Sequence, residues 1–126
     1  MNQSRTSGLN VKRLWTKAGH DPLDQVVYEK RNTVIRDQYG KEVFRIDDVE
    51  TPKSWSQLAT DIAASKYFRK MGVPGKGYET SVRELVRRVS QTIRRQGETL
   101  GYFSQLFDAD AFEAELAYLL IHQIGA

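Results

Sequence analysis

The 126-residue chain contains no cysteine. Disulfides, thiolate metal sites and any thiol or thiyl chemistry within the chain are thereby excluded. Histidine is nearly as scarce, with only His20 and His122. A metal centre takes three or four N, S or O ligands at close spacing, and neither histidine has a spaced partner, so no metal site and no catalytic histidine is expected. Long hydrophobic runs are missing too. None approaches the roughly 18 residues that span a bilayer. The N-terminus MNQSRTSGLNVKR lacks the apolar core of a signal peptide. A cytoplasmic location without membrane contact is the expectation. Charge of one sign is not in large excess: the net charge is +3, short of the clustered positive charge that marks a nucleic-acid binder.

What is present is ordinary for one small globular domain: 40% hydrophobic and 28% charged residues. Residues 1–25 are polar, with Gly8, Gly19 and Pro22, and read as an N-terminal arm. Leu9, Val11, Leu14 and Trp15 are its candidate anchors. Residues 26–126 read as the domain proper.

Residues 26–50 predict a β-hairpin. VVYEKRNTVI and KEVFRI are rich in β-branched and aromatic residues, and Gly40 in the intervening DQYGK suits a positive φ. Pro52 ends the strand region, and helices fill residues 54–126. Ser54 with Gln57 has capping-box spacing. Trp55, Leu58, Ala59, Ile62 and Ala63 then follow helical spacing to about residue 70. MGVPGKGYE is a loop. Ser81 with Glu84 repeats the capping-box spacing before Val82, Leu85, Val86, Val89 and Ile93, and Gly97 suits the position just past a helix end. A turn, ETLGYFSQLF, precedes a last helix over 109–124. Asp108 or Asp110 caps it, Phe112, Leu116, Leu119 and Leu120 point inward, and Gly125 ends it. The fold class is therefore α+β and mainly α-helical.

Several residues invite a chemical reading. Gly72, Gly75 and Gly77 around Lys76 resemble a phosphate cradle. The nucleotide-hydrolase loop, however, needs four residues between its glycines and a Ser or Thr after the lysine, so a helix–helix connector is the better reading. Arg83, Arg87 and Arg94 fall on one flank of the second helix, and Arg88 and Arg95 on the other. They form no single basic stripe, and suit a solvated face or carboxylate pairs at a domain interface. Asp47, Asp48 and Glu50 show no environment that would split their pKa values for acid–base work. Trp55, Tyr67, Phe68, Tyr102, Phe103, Phe107 and Phe112 near the helix stripes read as core.

The C-terminal LLIHQIGA is strongly apolar. One helix stripe cannot hold Leu119, Leu120, Ile121 and Ile124 together. At about 100° per residue Ile121 points opposite Phe112, and so away from the core. Leu120, Ile121 and Ile124, with Arg83, Arg87 and Arg94, are the candidate interface to a partner.

Whole segments carry a resemblance. GLNVKRLWTKAGHDPLDQVVYEKR, VFRIDDVETPKSWSQLA, DIAASKYFRKMGVP, ETSVRELVRRVSQTIRRQG and GYFSQLFDADAFEAELAYLLIHQIGA resemble the N-terminal region of adenosylcobalamin-dependent class II ribonucleotide reductases. The likeness runs from Gly8 to Ala126. It implies a parent enzyme that reduces ribonucleotides to 2′-deoxyribonucleotides. It also implies adenosylcobalamin as the parent's cofactor, a radical passed to an active-site cysteine, and a ten-stranded α/β barrel following this region. With no cysteine here, none of the family's catalytic residues maps onto this chain. The expectation is a detached or truncated non-catalytic domain that covers part of the barrel and holds no cofactor, within a parent that can be a homo-oligomer. A small basic nucleic-acid-binding module and a stand-alone interaction adaptor are the alternative readings.

Overall fold

The computed structural model describes residue 8, residues 10–70 and residues 77–123. Two antiparallel strands, β1 (Tyr28–Arg36) and β2 (Glu42–Pro52), are followed by α1 (Gln57–Ile62), α2 (Val82–Thr99) and α3 (Leu106–Ile121). α1 continues without a break as a π-helical turn, Ala63–Tyr67, and a 3-10 turn covers Pro22–Gln25. The α+β expectation holds. The chain divides into two compact units, one of Met1–Gln25 with Val86–Ala126 and one of Val26–Leu85.

In the Val26–Leu85 unit the hairpin forms where its β-branched residues predict. Asp37 organises the turn: its carboxylate accepts the N–H groups of Tyr39 at 2.8 Å and Lys41 at 3.0 Å. Gly40 supplies the positive φ of 84°. The ladder carries a bulge where Asn32 faces the Asp47–Asp48 pair. Arg31 is opposite Val49 while Thr33 is opposite Ile46, and Asp48 adopts φ 57°, its N–H held by the Asn32 side chain. The acidic run is thus a bulge with Asp47 and Asp48 exposed.

The first helix begins later than Ser54. Ser56 is its N-cap, and its hydroxyl accepts the Ala59 N–H at 3.0 Å. The expected inward stripe is rotated: Leu58 and Ile62 are exposed, whereas Thr60, Ala63, Ala64 and Phe68 are buried. Polar pairing explains the rotation. Thr60 meets Thr51 of β2 hydroxyl to hydroxyl at 3.0 Å in the interior. Arg31 reaches across from β1 to the carbonyls of Trp55 at 2.7 Å and Lys53 at 3.1 Å.

α2 starts as its capping residues predict. The Ser81 hydroxyl accepts the Arg83 N–H, and Glu84 reaches back to the N–H of Thr80. It runs past Gly97 to Thr99. Its end is a Schellman motif around Gly101, at φ 74°: the Tyr102 N–H bonds the Gly97 carbonyl and the Gly101 N–H bonds that of Glu98. Gly97 is instead a helix-interior residue at a close approach. A Cβ there would lie 2.7 Å from Phe103 Cε2. α3 starts earlier than expected, with Gln105 as N-cap. Asp108 sits inside its first turn, accepting the Gln105 N–H at 3.1 Å. Gly125 and Ile124 lie outside the described residues.

Candidate functional site

The unit of Met1–Gln25 with Val86–Ala126 holds the densest set of buried polar groups. α3 carries Asp108, Ala111 and Glu115 on one side. Asp108 and Glu115 are seven residues, two turns, apart and share that side. Both are buried, at 1% and 8% exposure. Glu115 takes its hydrogen bonds from the N-terminal arm, and Asp108 takes one from the arm beside the one from Gln105. Asp108 accepts the Val11 N–H at 2.9 Å. Glu115 accepts the N–H groups of Leu14 at 2.9 Å, Trp15 at 3.2 Å and Thr16 at 2.9 Å, and the Thr16 hydroxyl. Arg13 bonds the same hydroxyl at 3.1 Å. Residues 10–16 are thus a strap laid along α3, with its backbone donors satisfied by two helix carboxylates rather than by a strand. Burial alone would raise the Glu115 pKa. The bonds from the Thr16 hydroxyl and from the N–H groups of Leu14, Trp15 and Thr16 outweigh it, and the carboxyl is held below its ordinary value.

Beyond the strap a cleft of about 210 Å³ opens between the arm, α2 and α3. Arg13, Lys17 and His20 line it from the arm, Arg87 and Arg94 from α2, and Asp110 and Glu113 from α3. Arg87 pairs with Asp21 at 2.6 Å. Arg94 pairs with Asp110 at 2.8 Å, Glu113 at 2.9 Å and Glu98 at 3.4 Å. Burial opposes the Arg94 charge, but the Glu113 bond and the charges of Asp110 and Glu98 prevail, and its pKa is raised. The cleft balances cations with carboxylates. It offers no concentrated positive field to a phosphate backbone.

The sequence-predicted interface residues are scattered. Arg87 and Arg94 belong to these internal pairs. Arg83 lies 4.5 Å from the Tyr28 ring centre in a cation–π contact within the Val26–Leu85 unit. Leu120 is half-buried. Ile121 is buried, at 1% exposure, and does not face away from the interior. The expectation failed because α3 is covered on more than one side. The strap takes the face of Asp108 and Glu115, and the turn at Pro22 and Leu23 shares with Ala114 and Ala117 a cleft on the helix side where Ile121 follows.

The expected anchors Leu14 and Trp15 are exposed, at 68% and 45%. The strap is held by its backbone instead. Of the aromatics expected in the core, Phe68 is buried and Trp55, Phe103 and Phe112 are half-buried, whereas Tyr67, Tyr102 and Phe107 are exposed. His122 is exposed and stacks on Tyr118 at 4.1 Å, and His20 is exposed on the cleft rim. Among the described residues no group of three His, Cys, Asp or Glu could hold a metal ion. No described helix is long and apolar enough to cross a membrane.

The glycine loop falls mostly outside the described residues, including Gly72, Gly75 and Lys76. Its base is closed by Arg69 and Glu79, which exchange backbone and carboxylate bonds at 2.7–2.8 Å. Glu115 and Asp108 are the strap-holding side chains that periodicity missed. The signal for them was two acids one heptad apart within an apolar, alanine-rich helix.

Comparison with known proteins is consistent along the chain. Residues 29–123 match the family described as class II vitamin B12-dependent ribonucleotide reductase. The vitamin B12-dependent ribonucleotide reductase of Streptomyces clavuligerus is 42% identical over 121 residues, covering 94% of this chain and 12% of that protein. That of Streptomyces coelicolor is 42% identical over 119 residues, covering 93% and 12%. That of Rhodopirellula baltica is 39% identical over 108 residues, covering 86% and 10%. The chain therefore spans about an eighth of the length of the relatives it matches. With three quarters of its residues inside the family model, and relatives about 40% identical over nearly its whole length, this chain belongs to the class II vitamin B12-dependent ribonucleotide reductase family, as an N-terminal domain.

Proposed function

We propose that the chain is the structural N-terminal domain of an adenosylcobalamin-dependent ribonucleotide reductase, and that it supplies no catalytic group. The observation that carries this reading is the family match in a chain with no cysteine. The family's chemistry, conversion of ribonucleotides to 2′-deoxyribonucleotides for DNA synthesis, takes up its radical on a thiol. This chain has none to offer, so that step falls to the rest of the reductase.

Cofactor binding likewise falls to the rest of the reductase. No reaction step is assigned to this domain. Its role is to fold against the larger reductase in the cytoplasm. Nucleic acid is not its ligand, and any homo-oligomerisation belongs to the parent.

The test is a chimera. The matched segment of the Streptomyces clavuligerus enzyme is replaced by this chain, and reduction is assayed with adenosylcobalamin and a dithiol. Activity near that of the unaltered enzyme, lost when the segment is simply deleted, supports the reading. An inactive or unfolded chimera overturns it.

A further inference from the structure

The strap turns its two large apolar side chains outward. Leu14 and Trp15 are exposed while their N–H groups are bound to Glu115. Scattered exposed apolar residues on a loose arm need no explanation. These two differ, because a buried carboxylate pins the backbone that carries them and fixes their direction. Trp15 is further fixed by its ring, which lies parallel to that of Tyr118 at 5.8 Å with 3° between planes.

Phe107, Ala111, Glu115 and Tyr118 follow at spacings of four, four and three on one side of α3, a span of about 16 Å. Phe107 is 63% exposed. It lines, with Ala111 of α3 and Val11 and Arg13 of the strap, one open groove. Strap and helix face together form an apolar, aromatic ridge of Leu14, Trp15, Phe107 and Tyr118. Pre-ordered aromatic anchors of this kind concentrate binding energy at protein interfaces.

The geometry points to this ridge as the surface by which the domain docks on the remainder of its reductase polypeptide, with Glu115 as the residue that positions it. The inference rests on the reading proposed above and names the surface that reading requires. The occupant follows from length. The Streptomyces clavuligerus enzyme matches 94% of this chain, too much to omit the strap, yet that match is 12% of the enzyme. In that enzyme the remaining polypeptide is covalently attached to the matched segment, so it meets such a ridge at high effective concentration.

The chimera tests this directly. Hydrogen exchange across residues 10–18 is compared between the 126-residue chain and the chimera, and trypsin cleavage at the junction is timed for variants. Docking predicts exchange about tenfold slower in the chimera, and junction cleavage about tenfold faster for Leu14→Ser with Trp15→Ser, a change of about 1.4 kcal/mol. Glu115→Gln should act in the same direction and also speed exchange at residues 14–16 in the isolated chain. The Leu14→Ser, Trp15→Ser double variant of the isolated chain should keep its circular dichroism and melting temperature, since neither side chain is buried. An active chimera indifferent to Leu14→Ser with Trp15→Ser would refute the ridge and leave the domain reading intact. So would an active chimera loosened instead by Leu58→Ser with Ile62→Ser on α1, or self-association of the 126-residue chain that those strap substitutions abolish. An inactive unsubstituted chimera would remove the domain reading and the ridge with it.

Discussion

The Glu115 carboxylate accepts both the backbone N–H of Thr16, at 2.9 Å, and the Thr16 hydroxyl, at 2.5 Å. Among the described residues no lysine or arginine forms an ion pair with Glu115. Its charge is stabilised by peptide and hydroxyl dipoles alone. Replacing it with alanine leaves the N–H groups of Leu14, Trp15 and Thr16 without that acceptor. They regain partners only if the strap lifts into water. The expected outcome is local: the strap loses about 2 kcal/mol of docking, and amide exchange at residues 14–16 rises about thirtyfold. Exchange within α2 should hardly change. A global loss of protection would show that the strap is integral to the core.

The same carboxylate sets a pH dependence. Its pKa is lowered in the folded state from the ordinary 4.5. A depressed carboxyl stabilises the fold above its unfolded pKa, and that contribution is lost as pH falls through the folded value. Strap protection should therefore be constant from neutral pH down to about 4.5 and decline below it. Glu115→Gln should flatten this acid limb in exchange measured against pH. An unchanged limb would place the titrating group elsewhere.

Gly97 and Phe103 make a packing prediction with a built-in control. Alanine is the better helix former by about 1 kcal/mol, yet a Cβ at residue 97 would meet the Phe103 ring at 2.7 and 3.1 Å. Overpacking of this sort costs about 1–3 kcal/mol, so Gly97→Ala should be net destabilising in urea denaturation. Phe103→Leu removes the obstructing ring atoms. In that background Gly97→Ala should become neutral or stabilising, a coupling that a double-mutant cycle reads directly.

The elements that propensity and capping dictate were legible. The hairpin with Gly40 at its turn and α2 behind Ser81 depend on residues within a few positions of one another. What was not legible depended on polar side chains that reach across the sequence. Arg31 and Thr51 draw Thr60 inward and leave Leu58 and Ile62 outside, so a stripe of large apolar residues pointed the wrong way. Asp108 and Glu115 were invisible as strap ligands because their partners are backbone N–H groups about a hundred residues away. Backbone donors carry no residue signature. The residue type of Gly97 suits a helix terminator, whereas its use is to admit the Phe103 ring.

Ile121 is where these two kinds of information disagree most, and it gives the last prediction. Reading α3 as a helix with one buried stripe centred on Phe112 puts Ile121 about 180° away, in solvent. On that reading Ile121→Lys would be harmless and would improve solubility. In the structure Ile121 is 1% exposed while Phe112 and Leu120 are only half-buried. The arm makes the difference. Its strap covers one side of α3, and its 3-10 turn, with Pro22 and Leu23 buried, packs against α3 as well. Ala114 and Ala117 bring the backbone of α3 close there, and Ile121 follows at the next helical step. Ile121→Ala should therefore cost about 2–5 kcal/mol, the range for a large buried aliphatic side chain. Ile121→Lys should cost at least as much, because it also buries an unpaired ammonium. Chemical denaturation of the two variants checks this. A loss below about 0.5 kcal/mol for Ile121→Lys, the scale of a surface substitution, would restore the exposed placement and put the arm's packing on α3 in question.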